Sequence, residues 1–101
     1  MKIIKRNGSE AIFEPEKIEN AIAKANLATE GKPELIPEQI HAISAIITKH
    51  CEGIGRALSV EEIQELVETQ LMKHGAYETA KRYIRYRYTR NMVRATNTSD
   101  D

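Results

Sequence analysis

Asn7-Gly8 separates two short β-prone runs, KIIK and SEAIF, at the start of a chain whose remaining strand signals are weak. Both residues tolerate positive φ, which a tight two-residue turn demands, so the dipeptide predicts an antiparallel hairpin. With Asn7 and Gly8 as the loop, Arg6 faces Ser9, Lys5 faces Glu10, Ile4 faces Ala11 and Ile3 faces Ile12. Opposite charges then meet at Lys5 and Glu10. The short run Arg56-Ala57-Leu58 can add an edge strand to this hairpin.

Everything else reads as helix. Pro15 suits a first helical turn, and Ile18, Ala21, Ile22 and Ala25 share one face of helix one. Gly31, Pro33 and Pro37 mark a turn, after which Ile36, Ile40, Ile43 and Ile47 form the stripe of helix two, ended by Gly53 and Gly55. Ser59 and Glu62 have the spacing of a capping box, followed by Ile63, Leu66, Val67 and Leu71 in helix three, which Gly75 closes. In the last segment, Arg85-Tyr86-Arg87-Tyr88 alternates like a strand, yet Ala80, Ile84 and Tyr88 recur every four residues, with Ala76 and Met92 extending the series. A helix from Tyr77 to Ala95 explains that length better than an unusually long strand. The expected fold is therefore α+β, a four-helix bundle capped by a small antiparallel sheet, with one domain over residues 1–95 and a polar tail over 96–101.

At 101 residues the chain can bury a single core unaided by disulfides or metals. Cys51 is the sole cysteine, which excludes an internal disulfide, fits a reducing cytoplasm and suits a buried small hydrophobe. No uninterrupted apolar stretch suggests a signal peptide or a membrane span. Fifteen basic and fifteen acidic residues cancel, so any anion site must come from local charge. Between Ala76 and Arg94, six basic residues stand against Glu78 alone.

Most site chemistries fail on spacing. There is no GxxxxGK[ST] loop, and Gly53-Ile54-Gly55 lacks the third glycine of a dinucleotide fingerprint. His41, His50 and His74 have no metal-ligand spacing, and no nucleophile has a base in register. Cations remain: Lys5 and Arg6 at the end of strand one, Lys17 near the start of helix one, and the arginines of helix four. Lys17 stands against its helix dipole, an arrangement that a bound anion would reconcile. Arg87 falls three residues after Ile84 and four after Tyr83, at the edge of the apolar stripe. Lys5 and Arg6, being consecutive in a strand, leave opposite faces unless the strand end twists.

The strings IIKRNGSEAIFEPEKIENAI, SVEEIQELVETQL and AKRYIRYRYTR together resemble the ATP-cone, a regulatory nucleotide-binding domain found chiefly at the N-terminus of ribonucleotide reductases. The resemblance covers residues 2 to about 92 and implies a small sheet with four helices. It implies an allosteric domain without catalytic residues that binds ATP or dATP, with Mg2+ arriving on the phosphates, and so sets the activity and oligomerisation of a reductase. Its partners would be the rest of a reductase subunit or another cone. Carried onto this chain, Ile3 and Ile4 contact the adenine region, Lys5 and Arg6 are the cations of a KR-x-G motif, and Lys17 is the phosphate contact of helix one. Asn7 stands where the family commonly has aspartate. Ala11 replaces an acidic residue that some members carry, leaving Glu10 or Glu14 as substitutes for a ribose contact. Glu62 and Gln64 border the nucleotide from helix three, and Lys81, Tyr83 and Arg87 from helix four.

The alternative is a single-stranded nucleic-acid module, because interleaved Arg and Tyr suit phosphate contacts and base stacking. Zero net charge opposes it.

Overall fold

The structure, a computed structural model, describes residues 2–5, 7–29 and 31–96, with side chains as far as residue 87. Strand β1 (Lys2–Ile4) and β2 (Glu10–Ile12) form the hairpin, followed by α1 (Pro15–Leu27), α2 (Pro37–Ile54), β3 (Leu58–Ser59), α3 (Val60–Lys73) and α4 (Tyr77–Thr96). The order across the sheet is β2-β1-β3. No described helix is long and apolar enough to cross a membrane.

Two expectations about the sheet are corrected. The third strand pairs parallel to β1, Ile3 with Leu58 and Ile4 with Ser59, so the sheet is mixed rather than antiparallel. The hairpin register is also shifted by one residue: Lys2 faces Ile12, Ile3 faces Ala11 and Ile4 faces Glu10. Lys5 N–H donates to the Ser9 carbonyl at 2.8 Å and Gly8 N–H to the Lys5 carbonyl at 2.9 Å, leaving a three-residue connection instead of two. A two-residue type I′ turn needs positive φ at both central positions, and only Gly8 has it, at 87°. Asn7 instead accepts the Ser9 N–H at 3.0 Å and the Ser9 hydroxyl at 2.6 Å through Oδ1.

The slip decides which side chains enter the core. Ile3, Ala11 and Leu58 turn inward, while Lys2, Ile4, Glu10 and Ile12 turn out. Glu10 consequently pairs with Lys2 at 3.3 Å and not with Lys5.

Helix α1 packs on α2 and α4, and α3 packs on α2 and α4. Their inner faces supply Ile18, Ile22 and Ala25, then Ile40, Ile43, Ile47 and Cys51, then Ile63, Val67 and Leu71, and finally Ala76, Ala80 and Tyr83. Ile36, expected in the α2 stripe, is exposed because it precedes the helix, where its N–H donates to Gln39 Oε1 at 2.9 Å. Gly53 lies within α2, and Gly55, at φ 79°, ends it. Ala76, just before α4, and Ala80 and Tyr83 within it form the buried face, leaving Ile84 exposed. Tyr88 and Met92 fall outside the described side chains.

Three polar residues tie the ends of this framework. Asn26, at the end of α1, accepts the N–H groups of Glu34 and Leu35 at 2.9 and 3.0 Å and donates to the Leu35 carbonyl at 2.8 Å. Glu34 in turn accepts the backbone N–H of Thr79 at 2.7 Å and of Glu78 at 3.2 Å, and the Thr79 hydroxyl at 2.7 Å. A carboxylate from the α1–α2 connection thereby satisfies amides in the first turn of α4, where the helix dipole favours negative charge.

Candidate nucleotide site

The cations expected from the sequence fall at two element ends, the C-terminal end of β1 and the first turn of α1. Lys5 follows β1, with its backbone closing the hairpin and its side chain exposed. Arg6 lies outside the described residues. Ile3 and Ile4 leave opposite faces of β1, Ile3 toward the core and Ile4 toward solvent.

Lys17 is 80% exposed and its Nζ lies 3.1 Å from Glu14 Oε2. Glu14 occupies the N-cap position of α1 without capping it through its side chain. Its carboxylate already offsets the lysine that the helix dipole disfavours, so an incoming phosphate would compete with Glu14 for Lys17.

Glu62 is committed to the fold. Its Oε1 accepts the Ser59 N–H at 2.9 Å while its own N–H donates to Ser59 Oγ at 3.1 Å, completing the capping box. Arg56 Nη2 lies 2.7 Å from Oε2. The hydrogen bond from Arg56 and that from the Ser59 amide hold the carboxyl down to about 2. Because Ser59 pairs with Ile4, Glu62 is brought to the same end of the sheet as the hairpin positions.

The helix-four residues divide. Tyr83 is buried, and burial together with the nearby Glu68 carboxylate pushes its phenol up to about 12. Arg87 pairs with Glu68 of α3, both side chains being about one-fifth exposed. Gln64 sits one turn before Glu68, half-buried. Lys81 is exposed and 3.2 Å from Glu78, about 160° around the helix from Tyr83 at 100° per residue. Lys81 therefore does not share a face with Tyr83 and Arg87.

Sequence reasoning overlooked Arg56 and Glu68, the partners that engage Glu62 and Arg87. Their contacts cross between elements, which helical periodicity does not register. A separate recess of about 420 Å³, lined by Lys2, Glu10, Cys51, Glu52 and Arg56 among others, has both cations paired with acids. Among the described residues no group of three or more His, Cys, Asp or Glu side chains is arranged to hold a metal ion.

Residues 1–92 match the ATP cone domain family, and the chain belongs to it. It is 38% identical, across 99% of its length, to the ribonucleoside-diphosphate reductase subunit alpha of Chlamydia muridarum, of which it covers 10%. It is also 38% identical, across 91% of its length, to the anaerobic ribonucleoside-triphosphate reductase of Haemophilus influenzae, covering 13% of that protein. The corresponding Escherichia coli enzyme is 30% identical across 91% of the chain. The chain thus spans about a tenth of the curated relatives it matches.

Proposed function

We propose that this domain binds ATP or dATP as an allosteric effector and controls the activity and oligomerisation of a ribonucleotide reductase of which it forms part. The observation that carries the reading is the match to the ATP cone domain over residues 1–92, which takes in both element ends described above.

In this reading Lys5, Arg6 and Lys17 hold the phosphates, and the β1 end, with Ile3 and Ile4, receives the adenine. Asn7 shapes the hairpin turn, and Glu14, released from Lys17, accepts from the ribose. Gln64 and Glu62 border the nucleotide from α3, Glu62 by fixing the start of that helix. From α4, Lys81 and Arg87 border the phosphates only by exchanging Glu78 and Glu68 for them, and Tyr83 anchors the helix in the core. Mg2+ would arrive bound to the phosphates. Charge-assisted hydrogen bonds contribute ~1.5–3 kcal/mol each, so three or four cations suffice for binding near the micromolar range, ~8 kcal/mol, after ordering losses. The two nucleotides differ by one hydroxyl, and a preference of ~1 kcal/mol is enough to bias an assembly equilibrium. Chemistry would reside elsewhere in the reductase, in the cytoplasm, and other cones or the rest of the subunit would be the partners.

A thermal-shift panel of ATP, dATP, ADP and GTP with magnesium tests the reading. Adenine triphosphates should raise the melting temperature, and Lys17→Glu or Lys5→Glu should remove the shift while far-UV circular dichroism stays helical. Equal shifts for wild type and both variants would take these lysines out of the site.

A further inference from the structure

The arginine-rich segment of α4 is not exhausted by the nucleotide reading. Tyr83 enters the core and Arg87 pairs with α3, but Arg82, Arg85 and Tyr86 line a separate groove of about 270 Å³ between α4 and α1. Its α1 wall is Ala21, Lys24, Ala25 and Ala28. These four positions share one stripe of α1, and 82, 85 and 86 share one stripe of α4. The alanines have no bulk with which to fill the space between the helices. The result is an apolar floor with Lys24 on one side and two guanidinium groups on the other. Tyr86 is 43% exposed beside it. Arg82, Arg85 and Tyr86 each take part in interactions within the protein, so a docking partner adds to those contacts or exchanges with them.

We propose that the α1/α4 groove docks an acidic amphipathic helix of a partner polypeptide. A helix ridge of small or aliphatic side chains fits between two helix stripes, and carboxylates flanking that ridge meet Lys24 on one side and Arg82 and Arg85 on the other. The stripe from Ala21 to Ala28 is about 10 Å long, enough to seat two turns. A nucleic-acid strand fits less well, since it needs successive aromatic platforms and, among the described residues, the lining offers Tyr86 alone. The groove is independent of the nucleotide reading, because none of its residues is assigned to that site.

Fluorescence anisotropy on the full chain tests the proposal. The probe is a labelled helix of about 18 residues with a leucine seam flanked by glutamates, compared with its glutamine counterpart and with labelled oligothymidylate. The acidic helix should bind saturably and weaken as salt rises. Arg82→Glu/Arg85→Glu, Lys24→Glu alone, and Ala28→Trp, which fills the groove, should each weaken it by about tenfold or more. Lys49→Glu on α2 should leave it within about twofold. Melting curves identify any variant that fails to fold, and Lys24→Glu and Ala28→Trp alter exposed positions, so they still decide the question if the double variant is lost. Absence of saturable binding, equal binding of the glutamine helix, an equal loss with Lys49→Glu, or tighter binding of oligothymidylate would overturn the proposal. So would self-association in sedimentation that Arg82→Glu/Arg85→Glu abolishes, since the occupant would then be a second copy of this chain.

Discussion

Glu34 does the work of an N-cap for a helix that begins more than forty residues later in the chain. Burial raises its carboxyl, but the Thr79 hydroxyl and the amides of Thr79 and Glu78 outweigh that and bring it below 4.5. Glu34→Ala should lower stability by about 1–2 kcal/mol in urea denaturation, the usual range for a lost cap, and Glu34→Gln by less. Arg87 and Glu68 call for a different measurement. Their pair is neither fully buried nor exposed, so Arg87→Ala should cost about 1–3 kcal/mol, and a double-mutant cycle with Glu68→Ala should show positive coupling. Additive losses would mean that the pair contributes nothing beyond packing.

At the scale of elements, the capping box of α3 was legible in the sequence because Ser59 and Glu62 are three residues apart and local rules suffice. Ser59→Ala should cost about 1 kcal/mol. Arg56 adds a pH dependence: Glu62 titrates near 2 in the folded protein against an ordinary value of 4.5. A depressed carboxyl contributes stability above its ordinary value and loses it as pH falls toward the folded one. Acid unfolding followed by circular dichroism should therefore steepen below about pH 4.5, and Glu62→Gln should flatten that limb. The hairpin was legible in place but not in register. Asn-Gly fixes where the chain reverses, whereas the side-chain bonds from Ser9 to Asn7 and the need to bury Ile3 against Leu58 select the pairing. In α4, Tyr83 and Ile84 are adjacent apolar residues; the four-residue series pointed to Ile84 as the inward one, whereas the approach of α3 and α1 buries Tyr83 and leaves Ile84 exposed.

For the whole molecule, the candidate site was readable as a set of cations but not as a set of contacts. Lys17 carries a signal in its own helix, its position against the dipole. Its engagement by Glu14 was not foreseen, although the two are only three residues apart, because charge alone does not say whether a nearby acid or an external phosphate takes the lysine. Lys81 shows the same limit: a family motif supplied it, and the fold places it away from Tyr83. If Glu14 competes with phosphate for Lys17, Glu14→Gln, which keeps an oxygen able to accept from the ribose, should tighten ATP binding in calorimetry, and unchanged or weaker binding would mean that this competition is absent.

The parallel pairing of β3 with β1 also sets an order of assembly. Residues 3 and 58 must meet before the sheet is complete, and a short hairpin is only marginally stable in isolation. A growing chain that has not yet reached Leu58 therefore holds an unfinished edge, and α1 and α2, which lie between the two strands in sequence, must fold back so that β3 can reach β1. If the β1 end receives the nucleotide as proposed, capture should wait until the polypeptide has doubled back on its own beginning.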